Sequence, residues 1–112
     1  MRPIALSRPL TLEASQTVAD GAGGFSLAWQ ALGTIWAEVV AGTGREAAGE
    51  EVTLSTVTYR ITVRAAPIGS PARPQPSQRF RDGARVFAII AVSERDAEAR
   101  YLTCIAREES PT

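Results

Sequence analysis

Apolar and polar residues alternate along most of the chain, and this period of two is typical of β-strands. The alternation is most regular from Val57 to Arg64, where four apolar residues face one way and two threonines and two arginines face the other. Leu10, Leu12 and Ala14 share one face of a first strand in the same way, and residues 101–107 form a last strand. The pattern therefore predicts strands rather than helices.

A long apolar stretch runs over residues 25–40. Gly33 interrupts its alternation, and a glycine inside a strand often marks a bulge or a bend. The stretch is interpreted as one long, bent strand or as two abutting strands. Trp29 and Trp36 are predicted to lie in the core if the bend turns both inward; the alternative is that one of them anchors a neighbouring subunit.

Glycines mark two predicted turns. The glycine-rich residues 16–24 predict a loop after the first strand. The Asp82-Gly83 pair predicts a hairpin with a type I′ turn over residues 80–85. Residues 86–92 are continuously apolar, which predicts a central strand with both faces covered, and residues 93–100 predict a polar turn.

Two long segments do not fit the strand pattern. Residues 41–56 contain a weak capping box, with Thr43 as N-cap and Glu46 three residues later, followed by a short helix over residues 46–51. Residues 65–78 contain four prolines, which remove backbone donors. Both segments are predicted to be mobile in a monomer and to become ordered on assembly, and residues 108–112 are predicted to be a frayed tail.

These elements predict a single all-β domain over residues 1–112. Its fold is expected to be a small antiparallel β-barrel or sandwich of about six strands, with a long loop that carries a short helix.

Composition argues against a catalytic or metal-binding role. The chain has no histidine and one cysteine, so it lacks the residue clusters that metal sites need and a base to activate a thiol. Cys104, in an apolar strand, is interpreted as a small buried residue. The prediction is a protein without enzymatic activity, cofactor or metal. No apolar stretch is long enough to span a membrane, and the N-terminus lacks an apolar signal core, so a soluble, cytoplasmically made protein is expected.

The charges balance at twelve arginines and twelve acidic residues, with no lysine. A protein that coats DNA usually carries a basic excess, so the balance disfavours tight DNA binding. Arg60 and Arg64 share the polar face of the most regular strand. This face is interpreted either as a subunit or DNA-facing surface or as an ordinary solvated strand face, and both interpretations stay open.

The chain resembles the head–tail adaptor and head-closure family of tailed phages. The resemblance spans nearly the whole chain. The use of arginine without any lysine suggests a GC-rich genome, which also fits a gene transfer agent, a phage-derived particle. The stretches that carry it, in order, are Pro9-Leu10-Thr11-Leu12, Asp20-Gly21-Ala22-Gly23-Gly24-Phe25, Trp29, Thr34-Ile35-Trp36-Ala37-Glu38-Val39, Gly44-Arg45-Glu46, Tyr59-Arg60-Ile61-Thr62-Val63-Arg64, Gly83-Ala84-Arg85-Val86-Phe87-Ala88-Ile89 and Leu102-Thr103-Cys104-Ile105-Ala106-Arg107-Glu108. Two parts depart from the family pattern, the N-terminal run at residues 4–8 and the proline-rich loop after Arg64.

The resemblance implies a stopper protein that docks the tail in the neck of a virion-like particle, assembled in the bacterial cytoplasm. Its copies would form a six- or twelve-fold ring, below a portal-bound adaptor and above the tail terminator, around double-stranded DNA that it does not bind sequence-specifically. A loop after the first sheet would project into the channel and retain DNA. The predicted residues of this loop are Gly42, Thr43, Gly44, Arg45, Glu46, Glu50 and Glu51. The predicted subunit-interface residues are Arg60, Arg64, Pro71, Pro74 and Arg79.

Two other functions stay open. The chain could be the tail terminator or another ring protein of the neck, which only its position in a particle would distinguish. It could also be a small nucleic-acid-binding barrel of the OB type, although zero net charge argues against the basic groove that such a module needs.

Overall fold

The computed structural model describes residues 3–42 and 57–109, and this part of the chain is all β, as the sequence predicts. Its six strands are β1 (Arg8–Ala19), β2 (Phe25–Ala41), β3 (Val57–Arg64), β4 (Arg79–Asp82), β5 (Arg85–Glu94) and β6 (Tyr101–Glu109). The helix predicted over residues 46–51 lies outside the described residues.

The strands close into an antiparallel barrel in the order β1-β2-β3-β6-β5-β4. Alternate side chains of each strand point into the barrel, so the period-two pattern places one apolar face inside. The buried apolar side chains that fill it are Leu10, Leu12, Ala37, Ile61, Val63, Phe80, Phe87, Ile89, Leu102, Cys104 and Ala106.

The predicted bend in the second strand is a β-bulge. Residues 25–41 form one continuous strand of 17 residues, and its register against β1 shifts between Leu12 and Glu13. Leu12 pairs with Gly33 and Glu13 pairs with Ala31, which leaves Leu32 as the extra residue. Gly33 has φ +147°, a conformation that favours glycine. The interpretation as one long strand with a glycine-marked irregularity is confirmed.

Two predictions about burial are wrong. Residues 86–92 do not form a strand with both faces covered, because β5 belongs to a single-sheet barrel and turns alternate side chains to the outside; Ile90 is 45% exposed. Trp36 is 55% exposed and Trp29 is half-buried, so neither lies in the core. Trp36 pairs with Pro9, one position from the buried Leu10, and therefore points outward.

Two turn predictions also need correction. The first strand continues to Ala19, so the predicted loop over residues 16–24 shrinks to residues 20–24. The hairpin between β4 and β5 exists, but Asp82 pairs with Arg85, so Gly83 and Ala84 are its central residues. Only Gly83 has a positive φ, +62°, whereas a type I′ turn needs two such residues; the pattern is that of type II′.

The proline-rich loop of residues 65–78 is a series of hydrogen-bonded turns. The backbone amides of Ser70 and Arg73 donate to Pro67 and Ser70, and the Arg73 guanidinium donates to the Ala66 carbonyl at 2.9 Å. Pro74 is fully buried. The loop follows β3 at the barrel end where β1 reaches Leu12. Its mobility before assembly stays a prediction.

Candidate assembly interface

Residues 14–30, here called the arm, form a two-stranded ribbon that extends beyond the barrel. β4 pairs with β1 only from Thr11 to Glu13, and β3 pairs with β2 only from Ala37 to Ala41. The strands of the arm therefore pair only with each other, from Ala14 opposite Gln30 to Ala19 opposite Phe25. A ribbon of two strands is marginally stable in water, so the arm is a segment that would gain from a partner.

One face of the arm is apolar and open to solvent. Phe25 is 73% exposed and Leu27 is 63% exposed, and Trp29 continues the same face toward the barrel. The cross-strand neighbours of these three residues are the small side chains Ala19, Thr17 and Ser15. Large apolar side chains grouped on an exposed surface mark an interaction site more often than scattered ones do.

The base of the arm is fixed to the barrel by a cluster of charged and aromatic side chains. The Glu13 carboxylate accepts from Arg79 at 2.6 Å and from Arg81 at 3.1 Å. The Arg79 guanidinium also lies 3.9 Å from the centre of the Trp29 ring. Because Glu13 is nearly buried between two arginines, the direction in which the arm leaves the barrel is set by contacts within the chain.

The tip of the arm is a turn organised by Asp20. Its carboxylate accepts hydrogen bonds from the backbone amides of Ala22 and Gly24, at 2.8 and 3.0 Å, and these bonds lower the pKa of Asp20. Gly21 and Gly23 both have positive φ, which the local path of the chain requires. The loop predicted from these glycines thus has a defined hydrogen-bonded structure.

The end of the barrel away from the arm is lined by inward-pointing polar groups. Arg8 pairs with Asp82 at 2.7 Å, and Arg85 donates to both Glu108 oxygens at 2.8 and 3.0 Å and to the Tyr59 hydroxyl at 3.2 Å. Hydrogen bonds from Arg85 lower the pKa of Glu108, and the same bonds raise the pKa of Arg85. Paired charges therefore line this end of the barrel.

The predicted subunit-interface residues do not form one surface. Arg60 and Arg64 are exposed on the outer face of β3, and the Arg64 guanidinium lies 5.9 Å from the centre of the Tyr101 ring. Pro71 is exposed, whereas Arg79 is half-buried in the cluster at the base of the arm. An interface role stays a prediction for these four residues.

Pro74 differs from the other four predicted interface residues. Its side chain is among the fully buried ones, so it packs within its own chain. Its proposed place in a subunit interface stays a prediction.

Most of the predicted plug loop lies outside the described residues. Of its seven residues, only Gly42 is described, and its amide donates to the Thr58 carbonyl at 2.6 Å. Thr43, Gly44, Arg45, Glu46, Glu50 and Glu51 are not described, and their role stays a prediction.

Two observations on the described residues concern metal binding and thiol chemistry. They contain no group of three or more acidic or cysteine side chains that could hold a metal ion. Burial raises the pKa of Cys104 to about 12, so its thiol is a poor nucleophile at neutral pH. No helix in residues 3–42 or 57–109 has the length and apolarity needed to cross a membrane.

The arm was not identified from the sequence as an assembly element. A signal for it exists, because residues 14–30 carry one charged residue, Asp20, in a chain of which 21% is charged. That signal resembles the pattern of a buried strand, and only the strand pairing distinguishes an uncharged arm from an uncharged core.

Comparison with known proteins identifies the family of this chain. The chain is 56% identical to a chain in a structure described as the virion of a native gene transfer agent particle. The match covers 100% of both chains and has a TM-score of 0.78. A Shigella flexneri 2a protein, solved in solution, has the same fold at 24% identity, with full coverage of both chains and a TM-score of 0.71. No curated protein matches the chain. The family model for phage head completion proteins matches residues 1–109, and the chain therefore belongs to the phage head completion protein family.

Proposed function

We propose that the protein is a structural neck component of a virion-like particle, where its copies form the stopper ring between the portal-bound adaptor and the tail terminator. The family places it in head completion, and the 56% identical relative comes from a gene transfer agent particle. The observation that carries the proposal is the exposed apolar face of the arm, because a group of large exposed apolar side chains marks a site of interaction with a partner.

The geometry supports a ring rather than a symmetric pair. A closed ring needs heterologous contacts, in which one surface of a subunit meets a different surface of the next. The arm leaves the barrel at one end, while Arg60 and Arg64 lie on the outer face of β3, and each is a separate surface. Contacts that are weak between two subunits add up around a ring.

DNA retention is the second part of the proposal. Residues 43–56 connect β2 to β3 and contain Glu46, Glu50 and Glu51 but only one cation, Arg45. An acidic loop in the channel would hold DNA back as an obstacle rather than by binding it, since binding requires cations against the phosphates. Together with the zero net charge of the whole chain, this composition suits a conduit whose exit can be blocked.

Cryo-electron microscopy of the neck of purified particles tests the proposal directly. The expected result is density for a ring of this barrel directly below the adaptor. A ring at the tail-proximal end of the neck would instead make the protein the tail terminator. Particles that contain no copy of the chain would disprove a role in the virion altogether.

A further inference from the structure

We infer that neighbouring subunits pair their arms edge to edge, with the β1 edge of one arm hydrogen-bonded to the β2 edge of the next. This inference rests on the proposed ring and adds the contact that closes it. Its occupant is a second copy of this chain.

Both edges of the arm present unpaired backbone groups. The Asp20 amide donates across the turn to the Gly24 carbonyl at 3.1 Å. Hydrogen-bonded and non-hydrogen-bonded pairs alternate in an antiparallel ribbon, so the Ala19–Phe25 pair is non-hydrogen-bonded and the Thr17–Leu27 pair is too. The amides and carbonyls of Thr17 and Leu27 therefore point away from the ribbon, one set along each edge.

The two edges match in length and lack the features that usually protect an edge. Residues 14–19 and residues 25–30 are each six residues long, about 20 Å at the usual rise of a strand. Natural edge strands are usually protected by charges, prolines or bulges. Neither edge of the arm contains a charge or a proline, and the bulge at Leu32 lies outside it.

The side chains also favour pairing between copies. On the apolar face, the large residues Phe25, Leu27 and Trp29 follow one edge, and the small residues Ser15, Thr17 and Ala19 follow the other. Pairing between arms that point the same way sets the row of large side chains of one copy beside the row of small side chains of the next. Alternation of large and small side chains is what allows such a layer to pack closely.

Other occupants fit less well. DNA requires cations, and the only charge of the arm is the carboxylate of Asp20. A different protein that added one strand would cover a single edge and leave the other open. In a ring, pairing of unlike edges covers both edges of every copy, and a six-residue edge alone buries far less than the roughly 800 Å² per partner of a stable pair. The contact is therefore expected in the closed ring and not in an isolated dimer.

A proline at an outward-pointing amide tests the pairing. Thr17→Pro removes the amide that faces the neighbour and keeps the hydrogen bonds within the arm, because prolines are accepted on edges. The matched control is Thr17→Val, which keeps that amide. We expect both variants to melt at the same temperature as the wild type, but Thr17→Pro to be incorporated into particles at least tenfold less than Thr17→Val. Equal incorporation of the two variants would overturn the inference.

Cross-linking tests the same contact without relying on a disruptive variant. Particles are assembled from a mixture of Thr17→Cys and Leu27→Cys subunits and treated with a mild oxidant, because a disulfide joins only thiols on directly paired strands; Cys104 is fully buried and does not compete. We expect a cross-linked dimer in the mixture and not with either variant alone. A dimer from one variant alone, a cross-link to a different protein, or no cross-link would each overturn the inference. If wild-type copies are present in the neck while the cross-link is missing, the arm pairing fails and the proposed ring stands.

Discussion

At the scale of single residues, the polar end of the barrel shows how inward-pointing charges are accommodated. Arg85 and Glu108 extend the inward-facing rows of β5 and β6, where Phe87 and Ala106 are buried. A charge there is tolerable only if it is paired and hydrogen-bonded. Arg85 meets this condition through Glu108 and Tyr59, and its guanidinium also lies 5.0 Å from the centre of the Phe87 ring.

Replacement of Glu108 by Gln is expected to lower the free energy of unfolding by about 1 kcal/mol at pH 7, a modest value because both partners are partly exposed to solvent. The folded state lowers the pKa of Glu108, so the pair stabilises the protein above the ordinary pKa of a glutamate. This contribution is lost as the pH falls through the lowered pKa. Urea unfolding at a series of pH values measures it, and the difference between wild type and variant should disappear in acid.

The matched control is Glu109→Gln on the same strand, because Glu109 is exposed and points to the outer face. It should change the unfolding free energy little at any pH. A Glu108→Gln difference that persists unchanged at pH 3 would show that the effect does not come from the carboxylate charge.

At the scale of elements, the bulge in β2 allows one strand to belong to both the barrel and the arm. Before the bulge the strand pairs with β1 in the arm, and after it the same strand contributes Ile35 and Ala37 to the barrel. A bulge changes the local twist and direction of a strand, which lets the arm depart from the curvature of the barrel. The cluster of Glu13, Arg79 and Trp29 then holds that direction.

Gly33→Ala is expected to destabilise the protein by about 1–3 kcal/mol, since φ +147° is strained for a residue with a Cβ. The space around the site is open, so the cost would come from the backbone rather than from a clash. Urea unfolding measures it, with Thr34→Ala as the control at the neighbouring exposed position. Equal stability of the Gly33→Ala variant and the wild type would mean that the bulge can move or disappear.

At the scale of the whole molecule, the barrel separates the arm from the connection between β2 and β3. The arm leaves one end, and the strands that flank residues 43–56 meet Glu108 and Tyr59 at the other. The described part of the chain measures 55 × 37 × 23 Å, which is elongated for a small barrel and leaves the arm accessible to a neighbour. The proposed roles of the arm in assembly and of residues 43–56 in DNA retention can therefore be tested by separate changes to the chain.

Deletion of residues 44–51 is expected to leave the rings intact while the particles lose packaged DNA, because the deletion removes the acidic residues of the loop and leaves the arm unchanged. The measurement is nuclease-protected DNA per particle, with ring occupancy determined on the same preparation. Full retention of DNA would argue against the plug role. A matched control is Glu50→Gln with Glu51→Gln, which keeps the loop length and tests whether charge or bulk retains the DNA.

The sequence alone determined where most of the strands of this protein lie. The strands were predicted from the alternation of residues 57–64 and from the apolar residues of the last strand, and the bulge was predicted from Gly33. These features depend on the spacing of apolar residues along the chain and on the backbone freedom of glycine. The family resemblance predicted a structural role in the virion.

Only the tertiary structure decided which apolar residues are buried. Phe25, Leu27 and Trp36 are large apolar residues in strands, as core residues are, yet they are exposed. Pro74 lies in a loop rich in polar residues, yet it is fully buried. The reason is physical: an apolar strand is equally suited to a core and to an interface, and the difference depends on which strands pair beside it. In this chain β3 and β4 stop short of the arm, and that pairing cannot be deduced from the period of a single strand.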